Sequence, residues 1–179
     1  MPFPWDDDED GPVTAADSAE ASAYLTFDVG RGLFALDVSA VHEILDPRPM
    51  LPVPGAPPHV LGTFDLRGNS VLAMDGGAVF DLPRGDSCEE ERLIVVAPGG
   101  AADTGQPEEP AGGAGRLVGI AVDRVHAVEE IETAAFHPPP GGSGGPGPAR
   151  VRAICRRGDT AVMRIDIGAA LSALGGPAW

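Results

Sequence analysis

Lysine is absent from this chain: all 12 basic residues among its 179 are arginines, against 27 acidic residues and a formal charge of −15. So sparse a cationic set excludes a protein that wraps nucleic acid or coats anionic lipid, because both need a dense basic face. Cysteine is nearly absent too. Cys88 and Cys155 stand far apart with no C-x-x-C, so their spacing gives neither a disulfide framework nor a zinc site, and two buried, reduced thiols are the reading. No apolar run approaches the ~20 residues of a membrane helix. The opening MPFPWDDDED has neither a positive nor an apolar leader region, which sets the expectation of a cytoplasmic protein. Also missing are a G-x-S-x-G elbow, a P-loop and a G-x-G-x-x-G that opens a helix. GGAGRLVG (112–119) leads into an apolar, strand-like run instead.

Glycine and proline are plentiful, at 25 and 19 residues, and they cluster. PGGAADTGQPEEPAGGAG (98–115) and PPPGGSGGPGPA (138–149) have hardly a side chain to bury and read as surface loops inserted into a fold. Residues 1–22 hold seven acids and no base, with almost nothing apolar after Trp5, so they read as a disordered acidic tail. The remaining 23–175, with the two insertions, is a single folded unit within an 18.3 kDa chain.

That unit reads as short strands. AYLTFDV (23–29) alternates Leu25, Phe27 and Val29 against Tyr24, Thr26 and Asp28, and Gly30-Arg31-Gly32 turns it into LFALDV. VLGTFDL and VLAMD flank Arg67-Gly68-Asn69-Ser70, and VRAIC and TAVMRID flank Arg156-Arg157-Gly158-Asp159, which predicts two more hairpins. RLIVVA (92–97) and RLVGIAV (116–122) are dense enough for central strands. Two segments carry helical spacing: SAVHEILD (39–46), behind a capping Asp37 or Ser39, and the C-terminal IGAALSAL. Many short strands with Gly-rich turns predict a mainly β fold of barrels or a sandwich.

Few residues carry a pattern that suggests chemistry. Asp6, Asp8, Asp10, Gly11 and Asp17 approach a calcium loop, but the last ligand is not the bidentate Glu, and MPFPW is too short and proline-rich for an entering helix. His42-Glu43 opens an H-E-x-x pattern whose fifth position is Asp46, not the second histidine of a zinc protease. A small metal-dependent hydrolase built on His42, Glu43 and the acidic tail is thus a remote alternative, and no cofactor is expected. Arg-Gly-Asp occurs at 84–86 and 157–159, in both cases where a turn is wanted. Arg150, Arg152, Arg156, Arg157 and Arg164 crowd the last hairpin, either as a solvated strand face or as a partner-binding edge.

In order, AYLTFDVGRGLFALDVSAVHEIL, PVPGAPPHVLGTFDLRGN, RLVGIAVDRVHAV and RGDTAVMRIDIGAAL resemble the CheW-like domain of bacterial chemotaxis coupling proteins, from Ala23 to Leu174. The most specific words are Pro54, Pro57, Gly62, Leu66, Arg67 and Gly68, then Gly119, Val122, Asp123 and Val125. The resemblance implies two intertwined, small five-stranded SH3-like β-barrels that share one core, with short helices, and docking in place of catalysis. It also implies partners: the cytoplasmic tip of a methyl-accepting chemoreceptor and the regulatory domain of a CheA-type histidine kinase, in membrane-associated or cytosolic receptor arrays. Val41, Glu43, Arg67 and Gly68 are the implied receptor-facing set. Arg150, Arg152 and Arg156 are the candidates for a kinase or other partner edge.

Elementary chemistry leaves two readings at these positions. Arg67 follows a strand and precedes Gly68, so its guanidinium is available either to a partner's carbonyl or carboxylate, or to pin two loops of its own barrel. Val41 either contacts a partner or packs with Ile44 and Leu45. Gly68 permits a positive φ at the turn. The chain departs from the family pattern at Asp65, Leu72, Gly76 and Gly77 and has Ala153 where a glycine is usual. The departures keep a second role open: a divergent module or scaffold that binds only one of the two partners.

Overall fold

Two five-stranded sheets are built from a chain that crosses between them twice. The computed structural model describes residues 21–83, 90–97, 117–139 and 151–174. Residues 1–20 of the expected acidic tail, the first Arg-Gly-Asp, Cys88, Arg150 and nearly all of both Pro/Gly-rich insertions lie outside the described residues.

The first sheet has the order β8-β1-β2-β10-β9, from β1 (Ala21–Val29), β2 (Gly32–Asp37), β8 (Arg124–Glu132), β9 (Val151–Arg157) and β10 (Thr160–Ile165). The second has the order β3-β6-β7-β5-β4, from β3 (Val41–Leu45), β4 (Val60–Leu66), β5 (Asn69–Asp75), β6 (Arg92–Val96) and β7 (Val118–Val122). Pairing is antiparallel except for β2 with β10 and β5 with β7. A short helix follows the last strand of each run, α1 (Gly76–Phe80) after β5 and α2 (Ile167–Ala173) after β10. Asp75 and Asp166 cap them by accepting from the backbone N–H of Ala78 and Ala169, which satisfies an orphan donor of the first turn.

The topology is an internal repeat with exchanged parts. β1–β5 with α1 and β6–β10 with α2 are equivalent halves, and each gives two strands to one sheet and three to the other. The equivalence extends to register. Thr63 of β4 pairs with Leu51, and Ile154 of β9 pairs with His137, each through two backbone hydrogen bonds of 2.7–2.8 Å. These bridges tie the chain that leaves one edge strand, β3 or β8, to the opposite edge, β4 or β9, so each sheet is joined edge to edge.

Sheets wrapped in this way bury both faces. One face of each meets the shared core, where Phe27 and Phe34 of the first sheet pack with Phe80 of α1 and with Ile94 and Ile120 of the second. Phe34 and Phe80 stack at 4.8 Å and each lies within 6 Å of Phe27. Burying such a side chain contributes roughly 1.5–3 kcal/mol. The opposite faces line smaller cores, Phe64, Leu66, Val71 and Leu93 in the second sheet and Tyr24, Ala35, Cys155 and Val162 in the first.

The sequence expectation fails in three places. SAVHEILD is not a helix: a 3-10 turn, Val38–Ala40, is capped by Asp37 and followed by β3. Val41, Glu43 and Leu45 face inward and His42 and Ile44 outward, a period of two that pairing with β6 imposes on a stretch too short to hold a helix. The helix α1 was not expected, because Gly76-Gly77 are poor helix formers. Gly76 is required there, since an added Cβ would stand 2.3 Å from the Ala121 carbonyl oxygen. Finally, β1 begins two residues early, with Ala21 and Ser22 paired to Glu132 and Ile131, and β8 itself is an unforeseen edge strand.

Candidate docking surface

The β4–β5 hairpin turns in two residues, Arg67 at φ 54° and Gly68 at φ 86°. Two left-handed residues match the twist of paired strands, and glycine suits the second without strain. An arginine at the first costs about 1–2 kcal/mol. The Asp65 carboxylate closes the turn by accepting from Gly68 N–H at 3.2 Å. Held so, Arg67 donates from Nη2 to Glu43 Oε1 of β3 at 3.0 Å, while the arginine side chain remains 76% exposed.

Glu43 lies between two anchored neighbours. Val41 packs on the shared core and Leu45 on the second sheet's own core, so the strand that presents the carboxylate is fixed on both sides. Val41 is therefore a half-buried packing residue. Among the described residues the exposed large apolar side chains are Ile44, Leu51, Leu61 and Val128, and the first three belong to this β3–β4 region. Arg48 lies beside it, its guanidinium 5.5 Å from the Phe64 ring centroid.

Of the expected receptor-facing residues, Glu43, Arg67 and Gly68 thus meet at the β4–β5 hairpin, whereas Val41 packs on the shared core. The arginine edge does not join them. Arg152 and Arg156 point outward from β9 in the other sheet, Arg152 paired to Asp166 at 2.7 Å and Arg156 exposed. Arg157 and Arg164 do not share that face: Arg157 pairs with Glu129 of β8, and Arg164 lies against Tyr24 and Phe136. Asp166 is held below the usual carboxylate range by the Ala169 N–H it caps, against an opposing push from partial burial, with Arg152 adding to the lowering. The Glu129 hydrogen bond raises the Arg157 guanidinium, and burial raises the Cys155 thiol.

His42 and Glu43 lie on opposite faces of β3, so the hydrolase constellation does not assemble, and among the described residues no three His, Cys, Asp or Glu side chains converge as metal ligands. Among the described residues no helix is long and apolar enough to cross a membrane. Of the departures from the expected pattern, Gly76 and Gly77 are buried and Leu72 packs on the shared core. Only Asp65 is exposed at the hairpin, where its carboxylate serves the turn. The pairing of Arg67 with Glu43 was missed from sequence. Its signal is Glu43 at the inward parity of a strand between Val41 and Leu45.

Two edge-joined β units on one core, with a polar pair on a hairpin, define a mainly β module of the barrel type. The model of the CheW-like domain matches residues 23–174, and the chain belongs to that family, one of non-catalytic scaffolds. It is 24% identical over 155 residues to the chemotaxis protein CheW of Treponema pallidum (strain Nichols), covering 87% of this chain and 85% of that protein. The crystal structure of the scaffolding protein TtCheW from Thermoanaerobacter tengcongensis shares the fold, with a TM-score of 0.70 at 22% identity over 89% of this chain and 98% of that one.

Proposed function

We propose that this protein is a cytoplasmic chemotaxis adaptor that links the cytoplasmic tip of a chemoreceptor to the regulatory domain of a CheA-type histidine kinase. The observation that carries the reading is the Arg67–Glu43 pair, which leaves the arginine exposed against a fixed strand whose other face carries Ile44. A half-neutralised guanidinium with further donors suits a partner carbonyl or carboxylate. Val41 holds the strand that carries Glu43, and Gly68 shapes the turn. Arg152 and Arg156 form the second, kinase-directed edge on the other sheet, with Arg150 added to it from the sequence alone, so two partners could dock without competing. Family membership and the relative named for chemotaxis support the setting.

Isothermal titration of the full chain against a receptor cytoplasmic fragment and, separately, a kinase regulatory domain tests the reading. Binding to both is expected. Binding to only one reduces the protein to a single-partner scaffold.

A further inference from the structure

The two small cores occupy equivalent places in the repeat, yet they differ in kind. In the second sheet the inward positions include Leu45, Phe64, Leu66 and Ala73, all apolar. The register-equivalent positions in the first sheet hold Glu129, Cys155, Arg157 and Arg164. Glu129 and Arg157 satisfy each other. Among the described residues Arg164 has no such partner. Half buried, it places Cζ 5.6 Å from the Phe136 ring centroid and 6.0 Å from that of Tyr24, with a long 3.4 Å donation from Nη1 to Tyr24 Oη. Asp37, on the same face of β2, is engaged by the N–H and hydroxyl of Ser39. Among the described residues no carboxylate reaches this guanidinium, in a chain where acids outnumber bases 27 to 12.

We propose that the Arg164 guanidinium, framed by Tyr24 and Phe136, is a carboxylate-binding seat whose occupant is the chain's own acidic stretch Asp6–Asp10, outside the described residues. Charge is the first argument. Asp6, Asp7, Asp8, Glu9 and Asp10 are five consecutive acids, and a guanidinium has five N–H donors, of which one here is directed at Tyr24 Oη, so the others remain for a carboxylate. Place is the second. The chain enters the first sheet at Ala21, three residues before the Tyr24 whose ring lies against Arg164. Length is the third. The 14 residues from Asp10 to Tyr24 span up to about 46 Å when extended, and on the order of 20 Å as a coil. A tether of that length gives an effective concentration on the order of millimolar, so a weak charge-assisted contact suffices and the segment needs no fold of its own. A tail so held competes with any acidic partner for the same guanidinium.

The test uses the full chain and follows the Arg164 Nε–H signal and the Tyr24 and Phe136 amides by NMR at low ionic strength. The variant with Asp6→Asn, Asp7→Asn, Asp8→Asn, Glu9→Gln and Asp10→Asn leaves the described fold untouched and is expected to shift all three signals. Raising salt to about 0.5 M should shift them the same way in the unmodified chain, where the screening length is only a few Å. In Arg164→Leu, the Asp6–Asp10 amides should lose their salt dependence. An Arg164 signal that ignores neutralisation of the tail overturns the proposal. So does a tail that responds to Arg156→Ala but not to Arg164→Leu. If Arg164 ignores its own tail yet shifts with added hexaglutamate, the seat belongs to a partner's carboxylate and the intramolecular occupant is refuted.

Discussion

Arg67 and Gly158 occupy the same position in the two hairpins of the repeat, at φ 54° and 59°. One half fills this left-handed position with the residue that adopts it freely, and the other fills it with an arginine that does not. The turn therefore does not require Arg67, and what the arginine adds there is a guanidinium held against Glu43.

Replacing Arg67 with glycine should separate the two contributions. Relief of backbone strain offsets loss of an exposed ion pair worth about 0–1 kcal/mol, so stability in urea should stay level or rise by up to about 1 kcal/mol. Affinity for the receptor fragment should fall by roughly 1–3 kcal/mol, as should that of Arg67→Ala. A clear loss of stability with unchanged affinity would make the arginine an internal pin.

The shared core predicts that the sheets melt together. Phe34, fully buried against Phe27 and Phe80, should cost about 3–5 kcal/mol when truncated in Phe34→Ala. Hydrogen exchange should then accelerate equally in β1 of one sheet and β6 of the other. Two separable transitions in calorimetry would contradict a common core.

Asp166 gives a pH-dependent term. Its carboxyl titrates lower in the folded chain than its ordinary 3.8, chiefly through the Ala169 N–H, so the stabilisation is complete above that value and is lost as pH falls through the folded value. Asp166→Ala should cost about 1 kcal/mol at pH 7 through the lost cap. The gap to the unmodified protein should close as pH falls below about 4. Denaturation at pH 7 and pH 3 measures it, and an equal gap at both would show that ionisation has no part in the cap.

Gly76→Ala tests the close approach of α1 to β7. The clash with the Ala121 carbonyl is with backbone, which cannot swing aside, so the variant should lose about 1–3 kcal/mol despite the better helix propensity of alanine. A gain in melting temperature would mean that the helix shifts freely.

Much of the fold could be read from the sequence, because the hairpins carry both alternation and turn residues: β1–β2, β4–β5 and β9–β10 fall where Leu25/Phe27, Phe64/Leu66 and the glycines placed them. β3 could not, since Val41, Ile44 and Leu45 fit three-and-four spacing as well as they fit a strand, and only pairing with β6 decides. The repeat was hidden by a one-residue offset: Arg67-Gly68 looks like Arg157-Gly158, whereas hydrogen-bond register sets Arg67 against Gly158. The docking set was named residue by residue from family likeness. Its one polar pair, and the isolation of Arg164, depend on side chains brought together across the sheets.

Exchange of strands between the halves also fixes an order of events at synthesis. β1 and β2 are complete by Asp37, but the strands that flank them in the sheet, β8 and β10, begin only at Arg124 and Thr160. The second sheet, whose last strand ends at Val122, is finished first. A nascent chain must therefore carry an orphan hairpin, its Phe27 and Phe34 without their full cover, for most of translation. Slowing the ribosome before Arg124 should prolong that exposure and raise aggregation, whereas the same pause within β10 should matter far less.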